Sequence, residues 1–65
     1  MKTLTFDLGN RIAKELHWKT NDLADIKRAE KQKTRLENDG FILTLEKIMG
    51  FESAMFVYVK FNKSN

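Results

Sequence analysis

Leu4, Phe6 and Leu8 alternate with Thr3, Thr5 and Asp7 at the start of the chain. A repeat of two puts one set on each side of an extended backbone, so this stretch reads as a half-buried strand. Gly9 and Asn10 interrupt it, and Asn10 can cap a helix that carries Ile12, Ala13 and Leu16 on one side. From Arg11 to Asn38 the apolar direction drifts when the chain is wound at about 100° per residue. Ile12, Leu16 and Leu23 share one direction, while Ala29 and Leu36 lie roughly a third of a turn away, with Ile26 between them. Two helices account for that drift better than one. The break falls at "KTND", where Thr20 or Asn21 can cap a second helix near residues 21–38. Asp22 and Asp25 then face the positive end of its macrodipole, and Gly40 stands where a left-handed terminating residue usually sits.

Beyond Gly40 the repeat returns to two. "FILTLEK" sets Phe41, Leu43 and Leu45 against Ile42, Thr44 and Glu46, and "SAMFVYVKF" sets Met55, Val57, Val59 and Phe61 against Ala54, Phe56, Tyr58 and Lys60. Both read as strands, joined through a loop at Gly50. The expected fold is α+β: a small β-α-α-β-β domain, a three-stranded sheet with two helices packed on one face. Its inner face is expected to hold Leu4, Phe6, Phe41, Leu43, Leu45, Val57, Val59 and Phe61 against Ile12, Leu16, Leu23, Ile26 and Leu36, with Trp18 covering an edge.

A chain of 65 residues makes a single domain, 1–65, with a polar C-terminal tail at 62–65. At this size only about 60% of the unfolded surface is buried, which leaves little spare core. There is no Cys and one His, so disulfides and the usual Cys/His metal sites are excluded. The core must come from side-chain packing, for which 42% hydrophobic residues, with five Phe, one Trp and one Tyr, is enough to set the chain apart from a disordered segment. No apolar run reaches the roughly 18 residues a membrane helix needs, and Asp7 comes too early for a signal-peptide core, so no membrane contact and a cytoplasmic location are expected.

Catalytic signatures are absent from the sequence. His17 has no partner at ligand spacing, Ser53 and Ser64 lack a nearby base, and the carboxylates are scattered. Gly9, Gly40 and Gly50 are isolated turn residues that cannot cradle a phosphate. The expectation is a protein that is not an enzyme and uses no cofactor and no metal.

Charge singles out "KRAEKQKTR", residues 27–35, with five cations and one carboxylate, in a chain whose net charge is +3. On a helix Lys27, Arg28, Lys31 and Arg35 fall within an arc of about 100°, opposite Ile26, Ala29 and Leu36. Such a stripe is either the solvated side of a helix or a phosphate-binding surface. A second candidate is the sheet face away from the helices, expected to carry Thr3, Thr5, Thr44, Ile42, Phe56, Tyr58 and Lys60. Ile42, Phe56, Tyr58 and Lys60 there suit a homodimer or partner interface better than base stacking, since no RNP-like motif accompanies the aromatics.

"IAKEL", residues 12–16, and "RLENDGFI", residues 35–42, resemble the helix and helix-to-wing passages of bacterial winged-helix regulators, over less than half of the chain. That resemblance implies DNA contacts by Lys27, Arg28 and Lys31. It departs from the family in the long spacing between the two passages and in "AMFVYVKF", which is more apolar than an exposed wing. The functional expectation is a small nucleic-acid-binding accessory or regulatory protein working through Lys27, Arg28, Lys31 and Arg35. The alternative is a protein–protein interaction module, an inhibitor or adaptor, that binds an acidic protein surface through the open sheet face.

Overall fold

In the computed structural model, which describes residues 1–62, the elements run β1 (Lys2–Asp7), β2 (Arg11–Lys19), α1 (Leu23–Asn38), β3 (Ile42–Met49) and β4 (Ser53–Phe61). The strands form one sheet in the order β1-β2-β4-β3, and each neighbouring pair is antiparallel. The α+β class therefore holds, but the arrangement is β-β-α-β-β, with four strands and one helix.

The helix expected to begin at Arg11 is strand β2. Ile12 and Leu16 are four residues apart, which is close to one helical turn and also two strand repeats, so that spacing fits both conformations. The turn before it decides. Gly9 has φ +84°, in the left-handed region open to glycine; the Leu8 N–H donates to the Arg11 carbonyl at 2.9 Å and the Asn10 N–H to the Leu8 carbonyl at 3.1 Å, so Gly9 and Asn10 close a two-residue hairpin. With β1 folded back, β2 can pair on both sides, from Asp7↔Ile12 to Lys2↔His17 and from Arg11↔Phe61 to Lys19↔Ser53. Its backbone groups are then satisfied without a helix. The likeness of "IAKEL" to a winged-helix segment fails for the same reason.

Helix α1 starts and stops where its chemistry dictates. The Asp22 carboxylate accepts from the Ala24 N–H (3.0 Å) and the Asp25 N–H (3.3 Å), a cap that contributes about 0.5–2 kcal/mol. At the other end the Gly40 N–H donates to Glu37 (3.1 Å) and the Phe41 N–H to Leu36 (2.9 Å), with Gly40 at φ +93°. This is a Schellman motif, and its usual apolar contact is present because Leu36 and Phe41 are both buried in the core cluster. Asp25 ties the first turn to the end of β2: it accepts from the Lys19 N–H at 2.8 Å and from the Met1 ammonium. The Met1 ammonium, the Lys19 amide and Arg28 hold its carboxyl below the usual range, against the opposing effect of burial. Asn62, the first residue of the expected polar tail, donates from its backbone to the Asn10 carbonyl and from its side chain to the Gly9 carbonyl, at 3.0 and 2.9 Å. Residues 63–65 of the expected tail lie outside the described residues.

The two faces of the sheet are exchanged relative to the sequence expectation. Tyr58 and Leu16 are fully buried beneath α1, and with Leu36 and Phe41 they form the core, flanked by Ile12, Trp18, Leu43 and Phe56. Directly paired residues share a face, so Leu4 with Glu15, Phe6 with Ala13, Ala13 with Val59 and Leu45 with Val57 all lie on the opposite side. Of the expected inner set, Phe41 and Leu43 do pack against the helix side, whereas Leu4, Phe6, Leu45, Val57, Val59 and Phe61 do not. Trp18 lies where expected, edge-on to Phe56 with ring centroids 5.5 Å apart.

Burial of Tyr58 has a measurable consequence. Loss of solvent, followed by the nearby Glu37 and Glu46 carboxylates, pushes its phenol up to about 12 from 10.0. The folded protein holds the proton more tightly than the unfolded chain does, so the stabilisation is complete below pH 10 and declines as pH rises toward 12. A spectroscopic titration of this single tyrosine is expected to show phenolate forming near 12 in the folded protein and near 10 in denaturant. Coincident titrations in the two states would contradict the buried position.

Candidate functional site

Two surfaces stand out, one on each side of the molecule. On α1, Asp25, Ala29 and Leu36 are buried, and Ile26, Gln32 and Lys33 are half-buried; they mark the face laid on the sheet. Lys27, Arg28, Lys31 and Arg35 are all exposed on the side that points away from it. Together with Thr34 and Asn38 they line a shallow open groove, flanked by Glu30 and Asp39. Arg28 lies 3.7 Å from the Asp25 carboxylate. Among the described residues, Lys27, Lys31 and Arg35 have no carboxylate within ion-pair distance. Lys27, Lys31 and Arg35 follow one another at intervals of four residues, so the stripe extends about 12 Å along the helix axis.

The second surface is the open side of the sheet. Reading across the strands, Leu4, Glu15, Val57 and Leu45 form one row, and Phe6, Ala13, Val59 and Ile42 form the next. Arg11 and Phe61 continue the face toward the Gly9 turn, with the guanidinium 5.9 Å from the ring centroid. Ile42 is 64% exposed, Phe61 62%, Leu45 49% and Phe6 41%, although each carries a large apolar side chain. The polar groups in the middle of this face are few: Glu15 lies 3.0 Å from the His17 imidazole, and both are half-buried. At one end Lys2 and Lys47 flank the row that holds His17 and Met55.

Of the residues expected to make a partner interface, Ile42 alone lies on the open side. Tyr58 is fully buried and its hydroxyl donates a long hydrogen bond, 3.4 Å, to Glu37. Phe56 packs under the helix against Trp18, with the Lys33 ammonium 5.4 Å from its ring. Lys60 extends along the covered side to within 5.6 Å of the Phe41 ring. Tyr58 is closed to a partner while α1 is in place, whereas Phe56 and Lys60 are half-buried on the side the helix covers. The residues passed over, Phe6, Leu45, Val57, Val59 and Phe61, carried a legible signal: β4 is apolar on both sides, and one amphipathic helix covers only one of them.

Among the described residues no group of three or more His, Asp or Glu side chains converges to hold a metal ion, and no helix is long and apolar enough to cross a membrane. No family model, curated protein or solved structure matches this chain.

Proposed function

We propose that the chain is a small non-enzymatic nucleic-acid-binding accessory or regulatory protein that meets phosphates with Lys27, Arg28, Lys31 and Arg35. The observation that carries this reading is the shared outward direction of four cations, three of them without a carboxylate partner among the described residues. Cations left free in this way retain their full attraction for a polyanion. A stripe about 12 Å long is also comparable with the width of a major groove, about 12 Å, so its ends can approach the phosphates on either side.

Salt dependence tests it. Anisotropy of a labelled mixed-sequence duplex, titrated at several salt concentrations, should give a logarithmic slope of about −3 to −4 if four phosphate contacts form. An affinity that does not change with salt would remove the proposal.

The open sheet face favours a second reading, a protein–protein interaction module such as an inhibitor or adaptor. Its anchors would be Phe6, Ile42, Leu45 and Phe61, because monomers seldom leave an apolar patch of this extent bare. Binding of that kind depends on apolar burial and responds weakly to salt.

A further inference from the structure

We propose that two copies of this chain pair face to face through the open side of the sheet, about a two-fold axis passing through Ala13, with β2 of one copy antiparallel to β2 of the other. The inference stands on the sheet alone and does not depend on phosphate binding by the helix.

Area sets the strength of the pairing. A two-fold at Ala13 overlays residues 11–15 of β2 and their neighbours in the sheet, so four strands about 4.8 Å apart, over about five residues at about 3.3 Å each, present roughly 300 Å² in projection. Two such faces in contact remove roughly 600 Å², the size of a weak, concentration-dependent association. Packed sheets lie about 10 Å apart with strands within about 30° of alignment, a geometry this unobstructed face can adopt.

Charge selects a second copy and fixes its direction. Among the described residues Glu15 is the one carboxylate in the centre of the face, and Arg11, on the same strand, flanks the apolar rows at the end next to the Gly9 turn, as Lys2 and Lys47 flank them at the other end. Glu15 and Arg11 lie equally far from Ala13, one on each side of it. Rotation about Ala13 therefore brings each Glu15 over the other copy's Arg11, so both charges are matched twice by the same operation. The row on the axis is Phe6, Ala13, Val59 and Ile42, in which small Ala13 sits between larger neighbours and meets its own copy. Lys2 and Lys47 lie beyond the overlap, at the far end of the face, where they remain in water. An isologous contact is self-complementary by definition, and this distribution of charge about one small residue has that property.

The consequence for the molecule is an arrangement of layers: helix, sheet, sheet, helix. Each basic stripe then faces outward on an opposite side, so one dimer presents two separate cationic surfaces that point away from each other.

Sedimentation of the whole chain over a range of concentrations tests the pairing. The wild type is expected to reach twice the chain mass, and Val59→Glu, on the axis row, to remain at the single-chain mass with an unchanged circular dichroism spectrum. Because Val59→Glu could also perturb folding, the half-buried and exposed polar positions supply a second test. Glu15→Arg and Arg11→Glu are each expected to weaken association at least about tenfold through like-charge contacts across the axis, and the two together to restore it. A single-chain mass at every concentration would overturn the proposal. So would a dimer indifferent to both single charge changes, or one that the double change fails to restore. A chain that reaches twice its mass but shows no binding of the labelled duplex would count against the phosphate-binding reading and leave this pairing supported.

Discussion

Replacing Leu16 by Ala is expected to bring the protein to the edge of unfolding, whereas the same truncation at Leu45 is expected to be mild. Leu16 is completely buried and packs with Leu36, Phe41 and Tyr58. Removing a leucine side chain from such a site costs about 2–5 kcal/mol, part of it from lost transfer and part from the cavity left behind. At about 0.05–0.15 kcal/mol per residue, a chain of 65 residues has roughly 3–10 kcal/mol in total to lose. Few of its side chains are fully buried, so neighbours have little freedom to refill the space. Leu45 is 49% exposed on the open face, and truncating it should cost about 1 kcal/mol or less when the protein is measured as a dilute single chain. Denaturant midpoints of the two variants check the contrast. Equal losses would contradict the difference in burial between the two leucines, and a larger loss at Leu45 would mean that the helix covers the other side of the sheet. The measurement belongs at low protein concentration, because self-association through the open face would add to the apparent stability of Leu45.

That contrast marks where the sequence could be read and where it could not. Helix α1 was legible because several independent signals agree: acids at its start, cations near its end, a glycine after it and a buried stripe at helical spacing. Its expected span, residues 21–38, differs from Leu23–Asn38 only at the first turn. The alternation in β1, β3 and β4 was equally plain. Strand β2 was lost because Ile12, Ala13 and Leu16 satisfy a helical face, while the extended alternative also aligns Ile12, Lys14, Leu16 and Trp18. Lys14 places a charge in the middle of that second stripe. In the fold its ammonium lies 5.9 Å from the Phe41 ring, where a long apolar stem can run along the covered side.

The exchange of sheet faces has a different cause. A period of two shows that two sides exist, without saying which side a helix will cover. Both stripes of β4 are apolar, so the choice fell to register between strands distant in sequence. Inserting β4 between β2 and β3 commits Leu16 and Phe56 to one face, and Glu15 and Val57 to the other. Adding β1 as a hairpin on β2 then carries Leu4 and Phe6 to the open side. The basic stripe depended only on local helical geometry, which is why its four residues share one exposed face despite the errors elsewhere.

Changing Lys27 and Lys31 together to Glu is expected to abolish most of the attraction for nucleic acid while leaving the helix folded. Each change removes one candidate phosphate contact and replaces it with a repulsion. The salt slope should fall by about 1 for each lysine, from about −3.6 to about −1.8, and the affinity at moderate salt by well over about tenfold. Folding should tolerate the pair because both side chains are exposed and contribute no buried contact. The two lysines already repel at a spacing of four, and two glutamates there repel about equally, by about 0.2–0.5 kcal/mol. Net charge is the confounding variable, since two such reversals take the chain from +3 to −1, a change of 2 × −2. Lys2→Glu with Lys47→Glu makes the same change on exposed strand positions away from α1. If the stripe is the contact surface, the helix pair should be far more damaging than the strand pair. Equal losses would identify the binding as a response to overall charge, and no loss from either pair would leave the open sheet face as the surface that works.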